Sequence, residues 1–330
     1  MDAVFVAWSR LSRRTRELAE LLGMELVFIP RGPPYVGAWL ETGRLLARLR
    51  PRLVAAQLPQ GPLLLRLHLL RRRLGFRLVA DVHSGFMVYK SLGERLLNQP
   101  FRRLLRGCDL VVSHNEPFTR LLLDYGVPGE RVVTVYDPIP PRHPSPRRPR
   151  LPEVEPRRYI LMPAAWAPDE PMEMLAEAWR LSRLAGEGYR LVVTGDWRRR
   201  PRSADRLRRL EGVVLTGFLP AEEYAWLLDN AAAVLALTTK EYTVLSALWE
   251  AVAYRRPALV SATRTLESLV GVGYPCLAPM EPHGLAETMR GCLDPAAAEA
   301  AVEAYARLER LSRESLEKLK RIVGVLLSQA

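Results

Sequence analysis

Residues 234–260 read V-L-A-L-T-T-K-E-Y-T-V-L-S-A-L-W-E-A-V-A-Y-R-R-P-A-L-V: a short apolar run, a polar loop, a helical stretch and a second apolar run. One carboxylate stands on each side of the expected helix start, Glu241 in the loop and Glu250 in the helix. With Thr243 as N-cap, the amides of Val244, Leu245 and Ser246 lack intrahelical partners, and such a terminus attracts phosphate. Glu250 follows roughly 10 Å along the axis at about 1.5 Å per residue, its side chain tilted back toward the start. Carboxylates only accept hydrogen bonds, which suits sugar hydroxyls. A diphosphate held at Thr243–Leu245 therefore predicts a ribose at Glu250 and a phosphate-linked sugar at Glu241. The spacing points to a nucleotide-sugar.

Other residues could share that chemistry. His83 follows the strand-like run Arg77–Val82, with Asp81 two residues before it. A histidine there can take a proton from an acceptor hydroxyl, or bind sugar or phosphate; the alternative is a ring that merely packs a strand end. His114 follows another strand, and its neighbours Asn115 and Glu116 can equally be helix caps. Gly195 and Gly217 end strands, where glycine lets backbone approach a ligand or simply makes a turn. His68, His143 and His283 stand alone. No D-x-D triplet occurs, so metal-dependent transfer is disfavoured; beyond the nucleotide-sugar as substrate, no cofactor is expected. Charge on a leaving diphosphate must then be met by helix amides and arginine, with Arg10, Arg13, Arg14 and Arg264 as candidates.

The elements that must position these groups alternate. Strand-like runs at 3–7, 25–29, 53–57, 77–82, 109–113 and 131–135 enclose helical patterns at 13–22, 36–49, 63–74, 93–106 and 116–125. That rhythm predicts a doubly wound parallel α/β sheet over residues 1–137. A proline-dense, charged stretch at 138–157 reads as a stiff linker. The rhythm restarts over 158–295, with strands at 159–162, 190–193, 213–215, 234–237, 258–260 and 276–278 and helices at 170–184, 221–230 and 244–254. Residues 296–330 read as one or two helices that could pack back on the first domain. Two Rossmann-like domains facing one another would bind ligands in a cleft at their strand carboxyl ends.

Composition bounds the rest. The 330 residues suffice for two cores, and 48% are hydrophobic. No segment approaches about 18 uncharged apolar residues, so no membrane span is expected. The amino terminus starts a strand instead of a signal, and three scattered cysteines form no metal spacing and cannot all pair; a reducing cytoplasm is the expected setting. Net charge is +12, and only four of the 48 basic residues are lysine. Such an arginine surplus fits anionic lipid or phosphorylated substrates; genomic or thermal bias would give it too. Leucine and arginine mix in 63–74 and 96–106, where Arg66, Arg71, Arg72, Arg73, Arg102 and Arg103 could meet an anionic bilayer, although a core helix with a solvated face has the same composition.

The block E-A-V-A-Y-R-R-P-A-L-V (250–260) resembles the donor-domain signature of GT-B glycosyltransferases of the family-4 kind. So does V-V-L-T-G-F-L-P-A-E-E-Y (213–224), where the family binds its base. The resemblance spans most of 159–278. It implies two α/β domains, a nucleotide-sugar donor in the second, an acceptor at the first, and the ribose on Glu250. Three departures stand out. Eight residues separate Glu241 from Glu250 where seven are usual, Tyr242-Thr243-Val244 replaces a G-F-G segment, and P-A-A-W-A-P-D-E-P (163–171) lacks the Arg and Lys of the diphosphate clamp. That last segment is similar to one in the β-mannosyltransferases that extend chitobiosyl-diphosphodolichol, which implies that Trp166 within it contacts the donor. A-D-V-H-S-G-F (80–86) resembles their D-W-H-N-x-G, which adds Ser84 to the acceptor side, and Gln57 falls where they carry a Q-x-P loop. These short resemblances imply a polyprenyl-(di)phosphate-linked acceptor at the cytoplasmic face of a membrane. A GT-B-fold nucleotide-sugar epimerase and a non-catalytic polyanion-binding protein are the alternatives. The latter lacks any recognisable nucleic-acid module, and nucleic acid is not an expected partner.

Overall fold

The structure, a computed structural model, describes residues 2–89 and 91–329. It divides into two compact units, residues 1–138 with 311–330, and residues 139–310.

The first unit is built on a six-stranded sheet of β1 (Ala3–Trp8), β2 (Glu25–Ile29), β3 (Leu53–Leu58), β4 (Arg77–Val82), β5 (Leu110–Ser113) and β6 (Val132–Thr134), in the order β2-β1-β3-β4-β5-β6. Its paired strands all run parallel. Helices α1 (Arg13–Leu21), α2 (Val36–Leu49), α3 (Gly61–Leu74), α4 (Leu92–Asn98) and α5 (Glu116–Asp124) connect them. Every residue of β1 and β3 is buried, as a parallel sheet covered on both faces requires. The expected helix over 93–106 breaks in two: α4 stops at Asn98 and a 3-10 stretch, Gln99–Gly107, follows. Pro100 explains the break, because it supplies no amide for a continuing helix.

The second sheet holds β7 (Tyr159–Met162), β8 (Arg190–Thr194), β9 (Val213–Gly217), β10 (Ala233–Ala236), β11 (Ala258–Ser261) and β12 (Leu277–Ala278), ordered β12-β11-β10-β7-β8-β9 and again parallel. Around it lie α6 (Met172–Ser182), α7 (Pro201–Arg208), α8 (Ala221–Asn230), α9 (Ser246–Tyr254), α10 (Arg264–Val270), α11 (Pro282–Gly291) and α12 (Pro295–Glu303). Helices α7, α10 and α11 lie outside the helical stretches expected from the sequence. Strand order reverses between β7 and β10, which is where doubly wound sheets open a ligand crevice.

Residues 139–157 form neither helix nor strand and lie along the second unit instead of standing free. Arg142 donates to the Ala253 carbonyl, the Arg147 amide to Glu222, and the Arg157 amide to Asn230, while Val154 is fully buried. Cys276 and Cys292 form a disulfide, with Cα atoms 5.4 Å apart, joining the start of β12 to the end of α11; Cys108 is free and buried. Three cysteines cannot all pair, and here two do while the third stays a thiol. Helix α13 (Tyr305–Ser328) begins in the second unit and ends in the first, where Leu319 and Val323 pack with Phe5, Leu18 and Met24. Each such fully buried aliphatic side chain contributes about 1.5–3 kcal/mol.

Candidate functional site

In the second unit a pocket of about 560 Å³ opens at the carboxyl ends of β7, β8 and β9. Each wall comes from a strand end or helix start: Pro163–Ala165 after β7, Thr194 and Gly195 at β8, Gly217–Leu219 at β9, and Leu245–Ala247 at the start of α9. Glu170, Arg199, Tyr224 and Glu250 also line it, and Glu170, Arg199 and Glu250 are the ionic side chains among the lining residues named here.

Two glycines make the walls possible. Gly195 has φ +84, and a Cβ there would lie 1.9 Å from the Ala164 carbonyl oxygen. Gly217 has φ +72 but open space around it, so only its backbone demands glycine. The β7 loop is fixed from behind. Trp166, left-handed at φ +54 and 2% exposed, donates its indole N–H to the Thr194 carbonyl at 2.9 Å. It therefore braces the wall and is not itself among the lining residues, which corrects its expected contact with donor. Glu170, 3% exposed, accepts from the amides of Ala165 (2.9 Å) and Ala167 (3.0 Å). Burial pushes its pKa up, and the neighbouring Asp169 charge adds to this against the pull of those amides.

Helix α9 starts at Ser246, two residues later than expected, with Leu245 as an N-cap that makes no side-chain hydrogen bond. Thr243 is thus not the cap, and the helix-start residues that line the pocket are Leu245, Ser246 and Ala247; Thr243 and Val244 are outside the lining. Between the two glutamates, Tyr242 takes the left-handed conformation (φ +59), and its amide donates to the Thr265 hydroxyl. Chain spent on this turn delays the helix. Glu250 reaches the pocket one turn into α9 and accepts from the Tyr224 hydroxyl on α8. Glu241 does not line it. Its carboxylate accepts from the amides of Arg264 (3.0 Å) and Thr265 (3.2 Å) and from the Thr265 hydroxyl (2.9 Å), capping α10. The structure gives Glu241 a capping role in place of the expected one beside a sugar.

In the first unit, Asp81, His83 and His114 gather at the ends of β4 and β5. His83 Nε2 lies 3.2 Å from Asp81 Oδ2, and the two histidine rings are 6.5 Å apart. His114 Nδ1 is 3.3 Å from the Val82 carbonyl. Asp81 is buried, and its Oδ1 pairs with Arg14 at 3.1 Å; Arg14 also reaches Asp137 at 2.8 Å. Burial alone would raise the Asp81 pKa, but the Arg14 charge and the His83 hydrogen bond outweigh it and hold the carboxyl well below its usual range. Arg14 is therefore a buried structural cation and not a free phosphate ligand, while Arg13 pairs with Glu17. Gln57 spends both ends of its amide on the first loop: Oε1 accepts from the Ser12 amide and the Thr15 hydroxyl, and Nε2 donates to the Arg10 carbonyl. It shapes that loop and is 3% exposed, which corrects its placement as an acceptor contact. Ser84 is partly exposed in a 3-10 turn that follows His83.

The arginines proposed to meet a membrane divide. Arg66 stacks over Trp39 (5.0 Å), Arg71 pairs with Asp109 (2.9 Å), and Arg102 lies over Tyr89 (4.3 Å) and donates to the Met87 carbonyl. These three are occupied inside the unit. Arg72, Arg73 and Arg103 are exposed, as are Leu92 (70%) and Leu96 (67%) on α4. Among the described residues, no helix is long and apolar enough to cross a membrane, and no three His, Cys, Asp or Glu side chains converge as metal ligands. Sequence reasoning missed Arg199, Tyr224 and Glu170. Tyr224 stands in the base-binding block, but nothing in spacing alone pairs it with Glu250.

Residues 3–143 match the model described as Glycosyltransferase Family 4, and residues 157–294 the one described as Glycosyl transferases group 1. No curated protein sequence matches the chain significantly. Among solved structures, Anabaena HepE in complex with UDP-glucose superposes with TM-score 0.73 at 12% identity, covering 99% of this chain and 100% of that one. Sucrose-phosphate synthase from Thermosynechococcus elongatus gives 0.72 at 16%, covering 100% of both chains. Staphylococcus aureus MnaA with UDP gives 0.68 at 14%, covering 98% and 97%. At these identities the structures speak for the fold, and the two sequence matches speak for the family: the chain is a glycosyltransferase of the GT-B fold, with a Family 4 domain followed by a group 1 domain.

Proposed function

We propose that the protein transfers a hexose from a nucleoside-diphosphate sugar, with uridine diphosphate as the best-supported carrier, to a polyprenyl-(di)phosphate-linked saccharide at a membrane surface. The pocket of the second unit carries this reading: an uncapped helix start beside a carboxylate, in a crevice walled by two left-handed glycines. Helix-start amides suit phosphate, and Glu250 suits a ribose diol. Bound UDP and UDP-glucose in the HepE and MnaA structures support the choice of uridine. His83 is assigned to the acceptor reaction, because Asp81 can hold one ring nitrogen as a donor and leave Nδ1 to accept a proton. Mannose is among the candidate hexoses, supported only by the short resemblances around Trp166 and His83. Exposed Leu92 and Leu96 beside Arg95 and Arg103 support the membrane assignment.

Thermal-shift measurements against UDP-, GDP- and dTDP-sugars test the donor, since a ligand of the native state raises Tm. The expected result is stabilisation by UDP-sugars and release of UDP only when acceptor is added. Donor conversion with no acceptor present would replace transfer by epimerisation, and no shift with any nucleotide would refute the reading.

A further inference from the structure

Three consecutive arginines follow β8, and the structure sends them three ways. Arg198 has a side chain 78% exposed and lies over the Trp197 ring at 5.1 Å. Arg200 is locked, donating to the Glu170 carbonyl at 2.8 Å and pairing with Glu173 at 2.8 Å. Arg199 alone of the three lines the pocket, with Nη1 donating to the Ala165 carbonyl at 3.1 Å. Among the described residues it has no ion-pair partner, and its exposed side chain leaves four of its five N–H groups open to solvent or a ligand.

The pocket's named lining contains two carboxylates, Glu170 and Glu250, and one cation, Arg199. A ligand carrying two negative charges would meet like charge there without the arginine. The β7 loop offers no help, since residues 163–171 contain neither Arg nor Lys. Resting on the donor reading above, we propose that Arg199 neutralises the donor's diphosphate in this chain, acting from the β8 loop together with the first-turn amides of α9. A guanidinium tethered by one N–H to Ala165 keeps a planar edge for bidentate contact with phosphate oxygens. This arrangement explains how a chain missing the cations after β7 can hold an anionic donor at all.

The test compares UDP with uridine, which differ only in the diphosphate, by ligand-observed NMR and calorimetry on the full chain. Arg199→Gln keeps a donor for the Ala165 carbonyl and removes the charge; Arg199→Lys keeps charge and loses the fork. The expected result is a loss of ten-fold or more in UDP affinity for R199Q at low salt, with uridine unchanged within two-fold and part of the loss restored in R199K. UDP affinity within two-fold of wild type in R199Q overturns the assignment. Equal losses for UDP and uridine also overturn it, because they would make Arg199 a prop for the loop. If the wild-type protein binds neither compound, the donor reading itself fails, and this outcome is distinct from the other two.

Discussion

Asp81 sits between a buried arginine and a partly exposed histidine, with Oδ1 3.1 Å from Arg14 and Oδ2 3.2 Å from His83. One carboxylate thus ties the interior of the first unit to a partly exposed histidine ring. Breaking a buried pair by removing one partner costs about 3–5 kcal/mol. Asp81→Asn should lose an amount of that order in urea denaturation at neutral pH. Because the folded pKa lies below the ordinary 3.8, the contribution is complete above that value and is lost as pH falls through the folded one. The wild-type stability curve should therefore slope down on its acid side, and the variant's should be flatter there.

Glu250 and Tyr224 form the hydrogen-bonded pair on the pocket wall. Hydrogen bonds to charged groups are worth about 1.5–3 kcal/mol, so Glu250→Ala should weaken UDP ten-fold or more. Tyr224→Phe leaves the carboxylate but frees it to turn, and about a three-fold loss is expected. Calorimetry with UDP reads both. Unchanged affinity in Glu250→Ala would remove the ribose from that position.

The two pocket glycines should respond differently to the same change. Gly195→Ala forces a methyl into the Ala164 carbonyl besides straining the backbone, whereas Gly217→Ala meets open space. Backbone strain alone costs about 1–2 kcal/mol. Melting should show the Gly217 variant weakened by roughly that much and the Gly195 variant by clearly more, with UDP binding lost only in the latter.

Glu241 offers a sharp separation of roles. If it caps α10 as its three hydrogen bonds show, Glu241→Ala should cost about 0.5–2 kcal/mol of stability and leave UDP affinity within two-fold. A large change in sugar-nucleotide affinity with little change in stability would return it to the donor.

Exposed leucines on α4 give the membrane assignment its handle. The full chain should sediment with vesicles containing anionic lipid and release them at high salt, each basic residue near the surface contributing about 1 kcal/mol. Leu92→Glu with Leu96→Glu should abolish sedimentation while the protein still melts cooperatively. Failure of the wild-type chain to sediment would end that assignment.

Strand positions were legible because parallel sheets buried on both faces leave unbroken apolar runs, as in β1 and β3. Helices α7 and α10 were not, being short and arginine-rich or starting directly after a strand. Glu250 could be read from its signature block, whereas Glu241 could not be separated from a cap, because the residues it caps stand 23 and 24 positions away. The same distance problem hid Arg199: in sequence it was one arginine in a surplus, and only the return of the chain past β7 singles it out. Gln57 and Trp166 were read at the right strand ends but with the wrong facing. A residue at a strand terminus can turn outward or brace the loop behind it, and periodicity does not decide between them.

Leu319 and Val323 close the core around Phe5, Leu18 and Met24 from the far end of the chain. On the ribosome, the first sheet must wait until the whole of the second unit has been made before its apolar floor is covered, because the covering helix follows that unit in the chain. The second unit can finish while the first is still open, so the order of synthesis and the order of completion run in opposite directions.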